Sequence, residues 1–163
     1  MSSSIRHVER KDHWVSVEGS NRICLTVWDK PKASPASPPL DPKVSQEGAL
    51  VSKSVLCVHG LAANRHCFDE FAMMLVERGH LQVATVDLRG HGESHAASGP
   101  FSINQYCRDL SSVLSYLRAQ GGEQSAVWAA NNLTVVGHSY GGNVALQWAL
   151  TAVAPGCQSP HRQ

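Results

Sequence analysis

The run Gly137-His138-Ser139-Tyr140-Gly141-Gly142 holds one serine between glycines placed two positions before and two after it. Apolar residues 133–136 lead into it, and an apolar stretch over 143–153 follows. A Gly-x-Ser-x-Gly turn between a buried strand and a helix drives its central residue to a positive φ and lifts that side chain clear of the backbone. A side chain at Gly137 or Gly141 would crowd such a turn. The Ser139 hydroxyl would then stand above the amino end of a helix, where the dipole and unpaired N–H groups favour developing negative charge. This is the setting for attack on a carbonyl, with the Tyr140 N–H as one donor to the oxyanion. The second donor has to come from another strand end. His59-Gly60-Leu61, after the apolar run 54–58, is where it should lie, with the Leu61 N–H as the expected donor. Losing one such donor costs about 3–4 kcal/mol of barrier.

A serine hydroxyl at neutral pH also needs a histidine to take its proton and a carboxylate to orient that histidine. His138 is adjacent to the serine on a sharp turn, so its side chain is expected to point elsewhere and frame the site. His59 is read as shaping the oxyanion turn. After Ser139 come 24 residues with no Asp, no Glu and one histidine, His161. Rescue by His161, or by Asp87 from an earlier loop, stays open. His91, Glu93 and His95 resemble metal-ligand spacing, but in a glycine-interrupted loop the one-face geometry of a helix is absent. No metal is expected there. "RGHGES" lacks the third glycine of a dinucleotide fingerprint, so no cofactor is expected either. Asp87 and Arg89 are read as bracing their loop by hydrogen bonds.

Alternating stretches 13–19 and 22–29, joined by "SN", read as a strand pair. "SVLCVHG", "LQVATVDL" and "LTVVG" are continuous apolar runs, as expected of strands covered on both faces. Between them lie two helical patterns. Phe68, Phe71, Ala72 and Leu75 share one face of the first, which Gly79 is placed to stop. Ile103, Tyr106, Cys107, Leu110, Val113, Leu114 and Leu117 share one face of the second. There Ser102 and Gln105 have capping-box spacing and Gly121 marks the exit. Three β-α alternations imply a parallel sheet with helices on both faces, whose functional groups gather at the strands' carboxyl ends. The expected division is a strand pair over 1–30, a flexible Pro/Ser-rich insertion over 31–53, an incomplete α/β core over 54–154 and an irregular tail over 155–163.

Composition narrows the classes. A chain of 163 residues with 42% hydrophobic residues suits one domain. A net charge of +1 without a basic run argues against nucleic acid as partner. No apolar run approaches the roughly 20 residues that cross a bilayer. The opening residues lack the apolar core of a secretory signal, and Glu9 and Asp12 weigh against the transit peptide that Ser2–Ser4, Arg6 and Arg10 hint at. Cys24, Cys57, Cys67, Cys107 and Cys157 are odd in number and lack CxxC spacing, which points to reduced, mostly buried thiols and a cytoplasmic location.

Together, "LCVHGLAAN", "VATVDLRGHGES" and "VVGHSYGGNVALQWA" resemble the amino-terminal half of an α/β-hydrolase, over residues 50–153. The resemblance is to the group of serine esterases, thioesterases and haloperoxidase-like enzymes. It implies a partial sheet: an N-terminal strand pair, then parallel β-α units, truncated after the nucleophile helix. It also implies Ser139 as nucleophile and the His59-Gly60 turn as source of the second oxyanion donor. A serine at this position argues against the epoxide hydrolase and dehalogenase branches, which use aspartate. The expected activity is hydrolysis of a small carboxylic ester or thioester through an acyl-enzyme. The alternative is a catalytically silent form that binds or regulates, pairing its open sheet edge with a partner.

Overall fold

The computed structural model describes residues 8–30, 54–79, 82–120 and 127–153. The expected insertion over 31–53, the tail over 155–163 with Cys157 and His161, and the helix exit at Gly121 lie outside the described residues. Five strands form one sheet: β1 (Glu9–Val17), β2 (Asn21–Asp29), β3 (Ser54–Val58), β4 (Gln82–Val86) and β5 (Leu133–Gly137). Among the described residues three helices pack on it: α1 (Asp69–Gly79), α2 (Ile103–Ala119) and α3 (Tyr140–Val153).

The spatial order is β1-β2-β4-β3-β5. The β1–β2 and β2–β4 pairs are antiparallel, and β3 runs parallel to both β4 and β5. Register decides where chemistry can gather. Val58 stands opposite Val86 on one side and Gly137 on the other, so the turns that follow β3, β4 and β5 leave the sheet at one edge.

Side chains alternate across the sheet. Leu56, Val58, Ala84 and Val86 meet α2 and α3 through Leu110, Val113, Leu117, Val144 and Trp148. Val55, Cys57 and Val83 face the other way, onto Phe68, Ala72 and Val76 of the α1 segment. Each Val, Leu or Phe side chain among them, taken fully out of water, contributes about 1.5–3 kcal/mol before entropy is counted. The α1 face therefore runs through Phe68, Ala72 and Val76, with Phe71 and Leu75 flanking it, and Phe68 sits in a 3-10 turn before the helix proper.

Three local expectations are corrected. The strand pair is connected at Glu18–Ser20, where Gly19 and Ser20 both take positive φ, and β1 starts four residues earlier than its alternation indicates. The capping box is half formed: Ser102 accepts from the Gln105 backbone N–H at 3.2 Å, but the Gln105 side chain turns to Asp109 at 3.1 Å. A buried anion draws that amide away from the cap. And β5 is not buried on both faces: it ends the sheet among the described residues, with Thr134 exposed and Val135 and Val136 half-buried.

Candidate active site

Ser139 has φ 53°, in the left-handed region that costs a residue with a Cβ on the order of 1–3 kcal/mol. The strain is held from both sides. Upstream, His138 N–H extends the β3–β5 ladder by donating to the Val58 carbonyl at 2.9 Å. Downstream, Gly141 and Gly142 N–H groups donate to the His138 and Ser139 carbonyls, each at 2.9 Å, and so start α3. Two residues, His138 and Ser139, separate strand from helix, and the serine takes the left-handed conformation of the turn.

Three glycines permit this crowding. A Cβ on Gly137 would fall 2.5 Å from the Gly141 carbonyl oxygen, inside the turn itself. One on Gly141 would stand 2.8 Å from the Val58 carbonyl carbon and closer still to the Val58 and His59 carbonyl oxygens. One on Gly60 would meet the Ser139 Cβ at 2.9 Å. The turn after β3 is thus pressed directly against Ser139, and in it Ala62 also takes a positive φ of 57°. Ser139, His138 and Leu61 are exposed at this edge, while Tyr140 is half-buried with its ring edge-on to Tyr106 at 6.0 Å.

His59 is fully buried and both of its ring nitrogens are engaged. Nδ1 pairs with the Gly60 carbonyl at 2.7 Å, and Nε2 accepts the Leu88 backbone N–H at 3.0 Å. Burial above all holds its pKa below the ordinary histidine value; the Gly60 bond opposes that shift. Four other described histidines are occupied elsewhere: His13 with the Tyr116 hydroxyl, His66 with Asp69, His91 with the Arg89 carbonyl and His95 with the Gly92 carbonyl. His138 borders Gly60, its Nδ1 lying 3.4 Å from where a Gly60 Cβ would be. Among the described residues, no histidine is hydrogen bonded to the Ser139 hydroxyl. His91, Glu93 and His95 form no cluster able to hold a metal ion among the described residues.

Asp87 is also fully buried, and its carboxylate is consumed by bracing. It accepts from the Arg65 backbone N–H at 2.7 Å, from Arg65 Nη1 at 2.5 Å and from the Glu93 backbone N–H at 2.9 Å. Arg89 grips Asp109 of α2 with two bonds, at 2.8 and 2.7 Å. Arg65 is the residue that motif reading passes over. Its guanidinium is buried yet also faces Glu93 at 3.1 Å and Asp12 at 3.6 Å. Burial works against its charge, and bonding to Glu93 and Asp87 outweighs that. The only signal in the sequence is an arginine seven residues past a strand end, which is ordinary on any surface.

A family model described as serine aminopeptidase, S33, matches residues 50–157. The chain is 30% identical over 96 residues to an uncharacterized protein of Mycobacterium tuberculosis, covering 59% of this chain and 24% of that protein. It is 32% identical over 104 residues to an sn-1-specific diacylglycerol lipase of Mus musculus, covering 64% of this chain and 30% of the lipase. In fold it is similar to an alpha/beta hydrolase from Novosphingobium aromaticivorans, with a TM-score of 0.60 at 23% identity over 90% of this chain and 41% of that one. The chain spans less than half the length of each of these proteins.

Proposed function

The chain belongs to the α/β-hydrolase family whose model is described as serine aminopeptidase, S33, and from that premise we propose that its protein is a serine hydrolase opening small carboxylic esters or thioesters through an acyl-enzyme on Ser139. The observation that carries the reading is the strained φ of 53° at Ser139, against which the Gly60 turn is packed. Strain of this kind persists only where surrounding structure over-determines it, and it gathers at reacting positions.

In the proposed reaction Ser139 Oγ attacks the carbonyl carbon while its proton passes to a histidine outside the described residues. The carbonyl π electrons move to oxygen, which the Leu61 and Tyr140 N–H groups hold. Collapse breaks the bond to the alcohol or thiol, which leaves with a proton. Water then repeats the attack on the acyl-serine and frees the acid. One relative named above is described as an sn-1-specific diacylglycerol lipase, and diacylglycerol is a carboxylic ester, which supports the reading. No step requires nucleic acid or a cofactor.

A fluorophosphonate probe tests the assignment. Labelling of the folded chain that Ser139→Ala abolishes is the expected result. A second reading is supported by the engagement of His13, His59, His66, His91 and His95 away from Ser139. In it this polypeptide is a silent binding or regulatory module whose β5 edge takes a partner strand. A folded chain that the probe leaves untouched would favour that second reading.

A further inference from the structure

Resting on the reading of Leu61 as an oxyanion donor, we infer that His59 is a positioning residue: it aims the Leu61 N–H by holding the carbonyl of the same peptide plane. Gly60 C=O and Leu61 N–H belong to one trans peptide unit, so they point in opposite directions and turn together. The His59 ring holds that carbonyl at 2.7 Å. The Ala63 N–H, at 3.4 Å, is its other partner. With the carbonyl clamped, the N–H can point only the other way.

Hydrogen-bond polarity also fixes the form of the ring. A carbonyl oxygen can only accept, so Nδ1 must carry the proton. The Leu88 N–H can only donate, so Nε2 must be bare. Only the neutral Nδ1–H tautomer satisfies both bonds. The anchor at Leu88 belongs to the turn after β4, and so does Asp87, which accepts the Arg65 N–H at 2.7 Å. One loop therefore grips the turn after β3 at both ends, residues 59 and 65, without contributing an atom to the proposed chemistry.

The charged and titratable groups around the ring are few. His91 lies 5.2 Å away, centroid to centroid. Asp87, paired with Arg65, acts on the ring through space, and His138 lies beyond Gly60. Burial keeps His59 neutral as pH falls past the usual histidine range. Once protonated, it would present an Nε2–H to the Leu88 N–H, and the anchor would be lost.

The test uses the full chain, isotopically labelled, with a fluorophosphonate as probe. Histidine ring nitrogen spectra at pH 7 are expected to show His59 protonated at Nδ1 and bare at Nε2. The opposite tautomer overturns the inference. Two variants then separate aiming from packing. His59→Asn leaves an amide N–H where Nδ1 stood and keeps a donor for the Gly60 carbonyl; His59→Gln moves the amide to the Nε2 end and does not. The Asn variant, which loses only the Leu88 anchor, is expected to stay nearer the wild type in Leu61 amide resonance and labelling rate than the Gln variant, which should label on the order of tenfold more slowly. Equal behaviour of the two variants overturns the inference. If neither folds, acid titration of the wild type decides: the Leu61 amide must move with the His59 ring, and an indifferent Leu61 refutes the coupling. Absence of labelling in the wild type would count against Ser139 as nucleophile, while the tautomer and the Leu61 resonance would still judge His59.

Discussion

Gly141 and Gly142 are neighbours in the first turn of α3, and the same substitution should act on them with opposite sign. At 142 an added methyl meets the Gly137 carbonyl oxygen at 3.5 Å, an ordinary contact, so only the helix-propensity gain of up to about 1 kcal/mol remains. At 141 the methyl would stand 2.8 Å from the Val58 carbonyl carbon, with the Val58 and His59 oxygens nearer still. Those atoms close the buried end of β3, which is laddered to β4 on one side and β5 on the other. They cannot yield separately, so α3 must move out. Overpacking against backbone costs about 3 kcal/mol, the upper part of the usual range. Subtracting the propensity gain leaves a loss of about 2 kcal/mol. At roughly 2–4 °C per kcal/mol for a domain of this size, Gly141→Ala should melt about 4–8 °C lower and Gly142→Ala about 2–4 °C higher. Circular dichroism melts run side by side measure both. A Gly141→Ala chain that melts at or above the wild type would refute the packing that presses α3 onto β3.

Ser139→Gly should melt higher than Ser139→Ala, by about 1 kcal/mol, because glycine alone relieves the left-handed strain; the reverse order would mean that no strain is stored there. Asp87→Asn should cost about 3 kcal/mol in denaturant titration, the low end for breaking a buried pair, because Asp12 and Glu93 still face the Arg65 guanidinium. A neutral Asp87→Asn would show that the pair is replaceable. Among Cys24, Cys57, Cys67 and Cys107, iodoacetamide should reach Cys67 first, since it alone is exposed and burial pushes the Cys24 and Cys57 thiols up to about 12. Peptide mapping at pH 8 would read this, and equal modification of Cys57 in the folded chain would contradict the core assignment.

How far the fold is legible depends on whether a segment's neighbours leave a trace in its own residues. "SVLCV" and "QVATV" are sandwiched between helical layers, so seven of their ten positions are apolar and the strands announce themselves. The second helix is equally plain, because Tyr106, Leu110, Val113 and Leu117 repeat at helical spacing under one layer. "ERKD" gives no such trace. It is the outer half of an edge strand, exposed on most positions, and it is held by backbone pairing to β2 that carries no residue preference. "LTVV" fails in the opposite sense. Its composition matches a central strand, but burial is a property of position in the sheet, and among the described residues β5 stands at the end.

The site divides along the same line. The Gly137-x-Ser139-x-Gly141 turn is readable because its constraint is local: the clash at Gly137 is with atoms four and five residues on. The clamp on the turn after β3 is not, because Arg65 and Asp87 meet across 22 residues and His59 and Leu88 across 29. Neither spacing is periodic, and an arginine or aspartate in a loop has the same letter whether solvated or buried. What makes these distant pairs meet is the parallel register that brings Val58, Val86 and Gly137 level. The sheet therefore does more than carry three loops to one edge. It sets the β4 loop beside the β3 turn, and that loop's fixed donors and acceptors decide which way a peptide plane faces beside Ser139. A change in the β4 loop should then alter reactivity at a residue it never touches.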